Sequence, residues 1–272
     1  MAQQNNTGIM KVLIIGFGKM GRIYSQYLTE FDYYDPFVDG GLQDLQDLNK
    51  YSHIIISTPP ENHYESYKKT IGFKGSIYID KPIVISENQF DIFNSNIFCG
   101  MTERYNPVVM LLKRLIIIED IISIKFSRYS IITTNMKTPA LFDLGIHDLD
   151  LYLYLLNYDK FPSIYDVFEK SKTCYIIAKQ NNILSIFEWS HESYKRERKI
   201  IVLQKNAVYE VDLIDQTIIA YRDNSVVQNL YVPKAQPLKE VMKSFLNNDQ
   251  CDAKLSHRFM IDVMYRKKTH EI

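Results

Sequence analysis

An apolar run that breaks into regularly spaced glycines, near the start of the chain, constrains the fold more than any other feature. Residues 11–21 are Lys-Val-Leu-Ile-Ile-Gly-Phe-Gly-Lys-Met-Gly, and a helical pattern follows. A strand, a Gly-x-Gly-x-x-Gly turn and a helix in this order are typical of a dinucleotide-binding βαβ unit. There Gly16 permits the sharp turn, Gly18 lets the backbone approach the phosphates, and Gly21 lets the helix pack close to the strand. The alternative is a glycine-rich turn at a strand end.

The residues between these glycines are candidate cofactor contacts as well. The first amides of the helix point towards a bound pyrophosphate, because a helix N-terminus attracts negative charge. We therefore expect Phe17, Lys19 and Met20 to line the cofactor together with the glycines.

Asp39 is the candidate for binding the adenosine ribose. It follows Gly18 by about 20 positions and ends a short apolar stretch over 36–39, where a carboxylate accepts hydrogen bonds from ribose hydroxyls. Gly40 and Gly41 come next and offer no arginine for a 2'-phosphate, so the sequence favours NAD over NADP. A plain turn aspartate is the alternative.

Composition excludes several functional classes. The chain has 272 residues and a net charge of zero, so it provides no positive field for nucleic acid. The three cysteines are far apart, odd in number and without metal-type spacing, which indicates a reducing compartment. The start is polar, and nowhere do eighteen apolar residues run together. We therefore expect a soluble cytoplasmic protein that binds no membrane and no metal.

The pattern of elements changes near residue 120. Before it, strands and helices alternate, which predicts a doubly wound parallel sheet. The predicted strands are 11–16, 36–39, 53–58, 76–79 and 96–100, and the predicted helices are 19–30, 61–70 and 86–94. After it, short runs rich in Ile, Val, Tyr and Phe predict antiparallel hairpins, with helices at 141–157, 237–247 and 254–267. The predicted fold class is α/β: a Rossmann-like domain over 1–120 and an α+β substrate-binding and oligomerisation domain over 121–272 with a large, open, mostly antiparallel sheet.

Two further motifs lie at predicted strand ends of the first domain, which face the ligand in an open α/β sheet. One contains Ser57, Thr58, Pro59 and His63, and the other contains Asp80, Lys81 and Pro82. We expect all of them except Pro82 to contact the cofactor. The proline restricts Lys81 to an extended backbone and so fixes the direction of its ammonium group. A third motif, over 141–151, places Asp143 and His147 four residues apart on one face of a predicted helix.

Together these motifs resemble the glucose-fructose oxidoreductase/inositol dehydrogenase (Gfo/Idh/MocA) family of oxidoreductases. The matches fall at 11–21, 57–63, 80–82, 98–107 and 141–156. There are two departures from the family pattern. Aspartate replaces glutamate before Lys81, and only about fifteen residues separate Asp39 from the next strand, where the family has a further helix and strand.

The resemblance implies a mechanism that suits the residue types. A sugar hydroxyl loses its proton to His147 while its hydride passes to a nicotinamide, and Lys81 stabilises the developing alkoxide. Asp143 orients the imidazole or binds a neighbouring sugar hydroxyl. Each of the three residues, taken alone, also has a possible role outside catalysis. His147 is then a surface histidine, Lys81 a solvated lysine and Asp143 a charge at a helix N-terminus. The resemblance also implies a homodimer or homotetramer formed through the second sheet.

The substrate is predicted from the segment 99–109, which resembles the branch that oxidises the 3-hydroxyl of UDP-N-acetylglucosamine. Arg104, Tyr105 and Asn106 are then expected to contact a nucleotide sugar, because a guanidinium binds two phosphate oxygens at once. The alternative is a structural ion pair of Arg104 beside a simple turn. For the whole chain, the alternatives are a dehydrogenase of a free polyol, a free sugar or a nucleotide-linked uronic acid, or a catalytically silent NAD-binding regulator.

Overall fold

The computed structural model describes residues 10–94, 96–132, 138–222, 225–249 and 251–270. The chain forms two compact units, one of residues 1–100 and 242–252 and one of residues 101–241 and 253–272. The predicted boundary after residue 120 differs from this division. The helix over 107–115 packs against elements of the second unit, and the returning segment 242–252 brings Phe245 against Tyr78 and Phe98 of the first unit.

The first unit contains a parallel five-stranded sheet in the order β2-β1-β3-β4-β5. Its strands are β1 (Lys11–Ile15), β2 (Glu30–Tyr34), β3 (His53–Ile56), β4 (Ser76–Ile79) and β5 (Ile97–Cys99). Helices α1 (Lys19–Ser25) and α2 (His63–Lys68) and 3-10 turns at Pro60–Asn62 and Glu87–Asn94 connect them. The strands β1, β3 and β4 are almost continuous apolar runs because both faces of a parallel sheet are covered.

The second strand is where the sequence prediction was wrong. It occupies Glu30–Tyr34 and not 36–39, and α1 ends at Ser25. Pro36 has no backbone donor for a sheet ladder, and the Asp35 carboxylate forms a turn by accepting from the Phe37 amide at 2.9 Å. The connection from Tyr34 to His53 contains no helix or strand, as its short length predicts.

The second unit contains an eight-stranded sheet in the order β13-β12-β11-β10-β6-β9-β8-β7. Its strands are β6 (Ile121–Ile131), β7 (Ser163–Lys170), β8 (Thr173–Gln180), β9 (Ile183–Ser193), β10 (Glu197–Gln204), β11 (Ala207–Asp212), β12 (Thr217–Arg222) and β13 (Ser225–Leu230). The pairs are antiparallel except for β6 with β9, which is parallel. The predicted large, mostly antiparallel sheet is therefore confirmed.

Helices complete the second unit and the returning segment: α3 (Pro107–Leu115), α4 (Ile146–Leu156), α5 (Pro237–Leu246) and α6 (Lys254–His270). A 3-10 turn at Thr102–Tyr105 precedes α3, another lies at Ile118–Asp120, and a π-helical turn at Leu141–Gly145 precedes α4. Helix α3 was missed, although Asn106 caps it by accepting from the Val108 amide and Pro107 occupies its first position.

No helix among the described residues has the length and apolar character needed to cross a lipid bilayer. The polar start of the chain, residues 1–8, lies outside the described residues.

Candidate functional site

The glycine turn has the geometry that its three glycines predict. Gly16 has φ +91°, and its amide donates to the Tyr34 carbonyl at 2.9 Å. A Cβ atom on Gly21 would lie 2.3 Å from the Gly16 carbonyl oxygen, so only glycine permits this close packing of α1. A Cβ on Gly18 would meet nothing within 4 Å. Gly16 and Gly21 are thus required by the fold, whereas Gly18 faces open space.

The residues between the glycines differ in their surroundings. Phe17 is buried and stacks on Tyr33 with ring centroids 4.0 Å apart, and the Arg22 guanidinium lies 4.9 Å from the Phe17 ring centre. Lys19 is exposed at the first position of α1, and Met20 is half-buried. The Phe17 side chain is therefore part of the protein's own packing. Its backbone forms part of the glycine turn.

Asp35, and not Asp39, is the acidic residue at the tip of β2. The Asp35 carboxylate accepts from the Phe17 amide at 2.7 Å, within the glycine turn. Asp39 is exposed in the following loop, where its carbonyl accepts from the Tyr33 hydroxyl at 2.6 Å. Asp39 was the candidate because β2 was predicted to end at residue 39, five residues beyond its observed end.

The end of β3 is tied directly to the glycine turn. The Ser57 hydroxyl donates to the Gly16 carbonyl at 2.7 Å, and the Thr58 and Ser66 hydroxyls lie 3.2 Å apart. Pro59 is exposed and precedes the 3-10 turn that leads into α2. Ser57 therefore holds the β1 and β3 ends together at one edge of the sheet.

His63 joins the β3 end to the segment after β4. It is buried, with Nδ1 2.7 Å from the Pro82 carbonyl oxygen and Nε2 2.7 Å from the Thr58 carbonyl oxygen. Burial lowers the pKa of this imidazole, although the Asp80 carboxylate and the two carbonyls oppose that effect. His63, a predicted cofactor contact, is thus buried and links the end of β3 to the segment after β4.

Asp80 fixes the backbone of Lys81. Its carboxylate accepts from the Lys81 amide at 2.9 Å and from the Tyr24 hydroxyl, which itself accepts from the Tyr78 hydroxyl at 3.1 Å. Burial raises the pKa of both tyrosines well above its ordinary value. Lys81 is half-buried, and the peptide bond to Pro82 is cis. A buried chain of hydroxyls therefore connects helix α1 to the end of β4.

In the second unit, Asp143 lies in the π-helical turn and His147 lies in the first turn of α4. The expected regular helix thus has a widened first turn, a feature that often occurs at functional sites. The Asp143 side chain is 30% exposed, and its Oδ2 lies 3.7 Å from Nε2 of the buried His191. His147 is half-buried.

A buried ion network supports this helix from the sheet below it. Arg128 contacts Asp148 at 2.7 Å and Glu103 at 2.9 Å, and the Trp189 indole donates to Asp148 at 2.9 Å. Burial alone favours the protonated form of Glu103, but Arg128 and Arg198 outweigh it and lower the pKa of this carboxyl group. The network fixes α4 against β6 and β9.

The three residues predicted to contact a nucleotide sugar lie close together in sequence but face different partners. Arg104 forms a bidentate pair with Asp150, with Nε 2.7 Å from Oδ2. Asn106 is buried, caps α3 and donates to the Leu213 carbonyl at 2.9 Å. Tyr105 is half-buried. These contacts of Arg104 and Asn106 are of the structural kind that the sequence analysis left open.

Among the described residues, no group of three or more His, Cys, Asp or Glu side chains is arranged to hold a metal ion. Asp35, Trp189 and His191 are the neighbours of the candidate residues that sequence reasoning missed. Asp35 was detectable as the acidic residue directly before Pro36, where a strand would end. The other two lie on a strand about 40 positions after the helix motif, and no local pattern connects them to it.

Comparison with known proteins supports the fold. No protein-family model and no curated protein sequence matches the chain. Among solved structures, UDP-N-acetylglucosamine 3-dehydrogenase GnnA from Acidithiobacillus ferrooxidans superimposes with a TM-score of 0.79 and 17% identity, over 94% of this chain and 96% of that one. Levoglucosan dehydrogenase in complex with NADH and levoglucosan gives 0.79 and 12%, over 96% and 97%.

A dehydrogenase (MviM) from Clostridium difficile gives a TM-score of 0.74 and 14% identity, over 95% of this chain and 100% of that one. These neighbours are oxidoreductases of the Gfo/Idh/MocA type. At such identities the likeness establishes the fold, and the architecture that the motifs imply is thereby confirmed over nearly the whole chain.

Proposed function

We propose that this chain is an NAD-dependent dehydrogenase that oxidises a secondary hydroxyl of a sugar, with a UDP-N-acetyl-hexosamine as the substrate and its 3-hydroxyl as the reacting group. One observation carries the proposal. Ser57 ties the glycine turn to the end of β3, and His63 ties that end to the segment that carries Lys81. The phosphate-binding turn and the candidate catalytic lysine therefore lie at the same edge of one parallel sheet.

The residues of the first unit fit a dinucleotide. Gly18 has open space where a side chain would lie, so its glycine is explained by a ligand's approach and not by the protein's own packing. With a dinucleotide bound, the amides of Gly18 and Lys19 would face its pyrophosphate, and Asp35, which also accepts from the Phe17 amide, would accept hydrogen bonds from the ribose. A carboxylate at this position disfavours a 2'-phosphate, which supports NAD over NADP.

Each remaining residue takes a role that its chemistry supports. A nicotinamide held by the glycine turn would supply the hydride acceptor. His147 takes the hydroxyl proton, Lys81 stabilises the negative charge that develops on the oxygen, and Asp143 accepts a hydrogen bond from the sugar. The alcohol thus loses a hydride and a proton and becomes a ketone.

The substrate class is supported at two levels. Solved structures with this fold include one named for UDP-N-acetylglucosamine and one in complex with levoglucosan, and both ligands carry secondary hydroxyls. Arg104 is paired with Asp150, so we propose that it holds its loop in place, while Tyr105 beside it contacts the sugar nucleotide. A free sugar or polyol is the second candidate, because levoglucosan carries no nucleotide.

We further propose that two copies associate through the outer face of the eight-stranded sheet. Large apolar side chains are exposed along this face on five strands: Phe168, Tyr175, Ile177, Leu184, Leu203 and Tyr221. An apolar surface of this extent is typical of an interface. A closed dimer follows most simply, because the same face of a second copy is complementary in character.

The test is a spectrophotometric assay with NAD or NADP and a panel of UDP-sugars, inositols, uronic acids and free sugars. We expect reduced nicotinamide to form with a UDP-sugar. His147→Asn lowers kcat by about 10²- to 10⁴-fold, and Lys81→Ala lowers it by about 10²- to 10³-fold. Lys69→Ala, on the surface next to the end of α2, is the matched control and retains activity.

The outcomes separate the candidates. Turnover of a free sugar with none on UDP-sugars supports the second candidate. Tight NADH binding without turnover on any member of the panel supports a silent cofactor-binding protein and contradicts the proposed dehydrogenase.

A further inference from the structure

We infer that His191 is a positioning residue for Asp143, and that Ser130 fixes the imidazole in the orientation this task requires. His191 lies near the end of β9 and is 2% exposed. Its neighbour across the helix–sheet boundary is the carboxylate that we propose to bind the sugar, so the inference about activity rests on the proposed function. The pairing itself does not.

Two distances connect the side chains of Ser130, His191 and Asp143 in that order. The Ser130 hydroxyl oxygen lies 2.6 Å from His191 Nδ1, and His191 Nε2 lies 3.7 Å from Asp143 Oδ2. The second distance is longer than a hydrogen bond but within the range of a direct charge interaction. The backbone of His191 is also fixed, because its amide donates to the Lys172 carbonyl at 3.1 Å.

The carboxylate determines the tautomer of the neutral imidazole. With the proton on Nε2, an N–H faces the Asp143 carboxylate, and Ser130 donates its hydroxyl proton to Nδ1. With the proton on Nδ1, a lone pair would face the carboxylate and repel it. The first arrangement is therefore favoured by the carboxylate, and the Ser130 hydroxyl, which can donate or accept, satisfies Nδ1 in it. Protonation of the ring turns the contact into an ion pair without moving either side chain.

Burial differs sharply across the array. Asp143 is 30% exposed, whereas His191 is almost completely enclosed. A substrate therefore contacts the carboxylate, and His191 acts on the substrate only through Asp143. An imidazole behind a carboxylate restricts its rotation and balances its charge, as partners of metal ligands do elsewhere.

Two other charged groups near His191 in sequence or on the neighbouring strand have partners of their own. Glu192 is next on the strand, but its carboxylate contacts the Ser171 hydroxyl at 2.6 Å and the Lys172 amide at 3.1 Å. Two residues before Ser130 on β6, Arg128 pairs with Asp148 of α4. From α4, His147 is the other titratable group near Asp143 in sequence.

The pairing is tested by NMR on the full-length ¹⁵N-labelled protein without substrate. Long-range proton–nitrogen correlations report the tautomer and the titration of each of the six histidines, and His191→Gln assigns the signal. We expect the Nε2-protonated tautomer. Asp143→Asn moves the His191 titration to lower pH, because the imidazolium loses its counter-charge. Glu192→Gln, the control one residue away, leaves that titration near its original position.

The role in activity is tested by steady-state kinetics across pH. His191→Leu lowers kcat/KM about 10- to 100-fold, because a carboxylate displaced by about 1 Å binds substrate poorly. The loss appears mainly in KM, and the acidic limb of the pH profile becomes flatter. His191→Gln keeps an N–H towards Asp143 and recovers most of the loss. Circular dichroism verifies folding, and Ser130→Ala replaces His191→Leu if the latter does not fold.

The two experiments fail in different ways. A His191 titration that is insensitive to Asp143→Asn overturns the pairing. An intact coupling together with wild-type kcat/KM and pH profile in His191→Leu overturns the positioning role. An intact coupling with no turnover on any sugar supports the pairing and refutes the proposed dehydrogenase.

Discussion

At the scale of single residues, Asp35 combines a structural and a proposed ligand-binding task. One carboxylate oxygen accepts from the Phe17 amide and the other from the Phe37 amide. A carboxylate has about four acceptor positions, so both backbone contacts leave room for ribose hydroxyls. The same side chain therefore shapes the glycine turn and offers a binding group beside it.

Substitution of two nearby aspartates separates this assignment from the sequence-based one. Asp35→Asn weakens NADH binding by about 10-fold, which corresponds to about 1.4 kcal/mol, because a charged acceptor of hydrogen bonds is lost. Asp39→Asn leaves the affinity nearly unchanged, since its side chain is exposed beyond the turn. Titration of the NADH fluorescence measures both. The reverse ranking of the two variants would restore Asp39 as the ribose partner.

The ion pair between Glu103 and Arg128 makes the free energy of unfolding depend on pH in the acidic range. The pKa of Glu103 lies below its ordinary value of 4.5 in the folded protein. Its contribution to stability is therefore complete above pH 4.5 and is lost as the pH falls towards the folded pKa. Arg128→Met leaves the buried Asp148 carboxylate without its cation and Glu103 with Arg198 alone, and it lowers the free energy of unfolding by about 3–5 kcal/mol.

Urea unfolding of the wild type and Arg128→Met, at pH 7 and at pH 4, measures both effects. Lys68→Met removes a surface pair with Glu65 at 2.7 Å and serves as the control, with a change below about 0.5 kcal/mol. An equal loss of stability in the two variants would contradict the importance of the buried network.

At the scale of elements, two glycines lie in the strand–turn–helix of β1 and α1. Their substitution by alanine is expected to affect different properties, namely stability and NADH binding. Gly21→Ala places a Cβ atom 2.3 Å from the Gly16 carbonyl oxygen, so α1 must move and the midpoint of thermal unfolding falls. Gly18→Ala meets no atom within 4 Å, so the fold is kept while NADH binding weakens. Thermal unfolding with and without NADH distinguishes them. Normal NADH binding by Gly18→Ala would contradict the proposed phosphate contact.

The order and type of most elements were predictable because their periodicity is local. Strand β4 was predicted at its observed bounds, and strand β1 was predicted to within one residue. Strand β2 was not, because its residues 30–34 are half-buried and polar at two positions, and so lack the apolar run of a central strand. The parallel pairing of β6 with β9 was also invisible, since it depends on topology.

The candidate site divides in the same way. Residues that occur in contiguous motifs, such as Gly16, Lys81 and His147, could be proposed as site residues from sequence. Those that reach the same helix from another strand, such as Trp189 and His191, were not. Sequence spacing describes one face of one element, whereas a buried partner is chosen by the packing of two elements.

At the scale of the whole molecule, the chain passes between the two units three times, after residues 100, 241 and 252. The first unit is therefore not a continuous N-terminal segment. Its aromatic cluster contains Phe245 against His53, Tyr78 and Phe98. A fragment that ends at residue 120 lacks Phe245 and would expose the other rings of this cluster. The first unit therefore needs the later segment 242–252 to complete its core.

The outer face of the second sheet carries the prediction about assembly. If two copies bind through it, Ile177→Lys with Leu184→Glu converts dimers to monomers, because charges become buried at an apolar interface. Ile71→Lys, at an exposed position in the first unit, leaves the mass unchanged. Size-exclusion chromatography with light scattering measures the three proteins. A wild type that is monomeric at micromolar concentration would contradict the proposed dimer.

The lone tryptophan gives the protein a built-in optical reporter. Trp189 is fully buried, its ring would lie 3.0 Å from a Cβ on Gly145, and its indole N–H is bonded to Asp148. Gly145 and Asp148 bracket His147 in sequence, so a shift of this helix segment changes the surroundings of a single fluorophore. Ultraviolet emission from the unlabelled protein therefore follows the conformation around the proposed base, without any engineered dye.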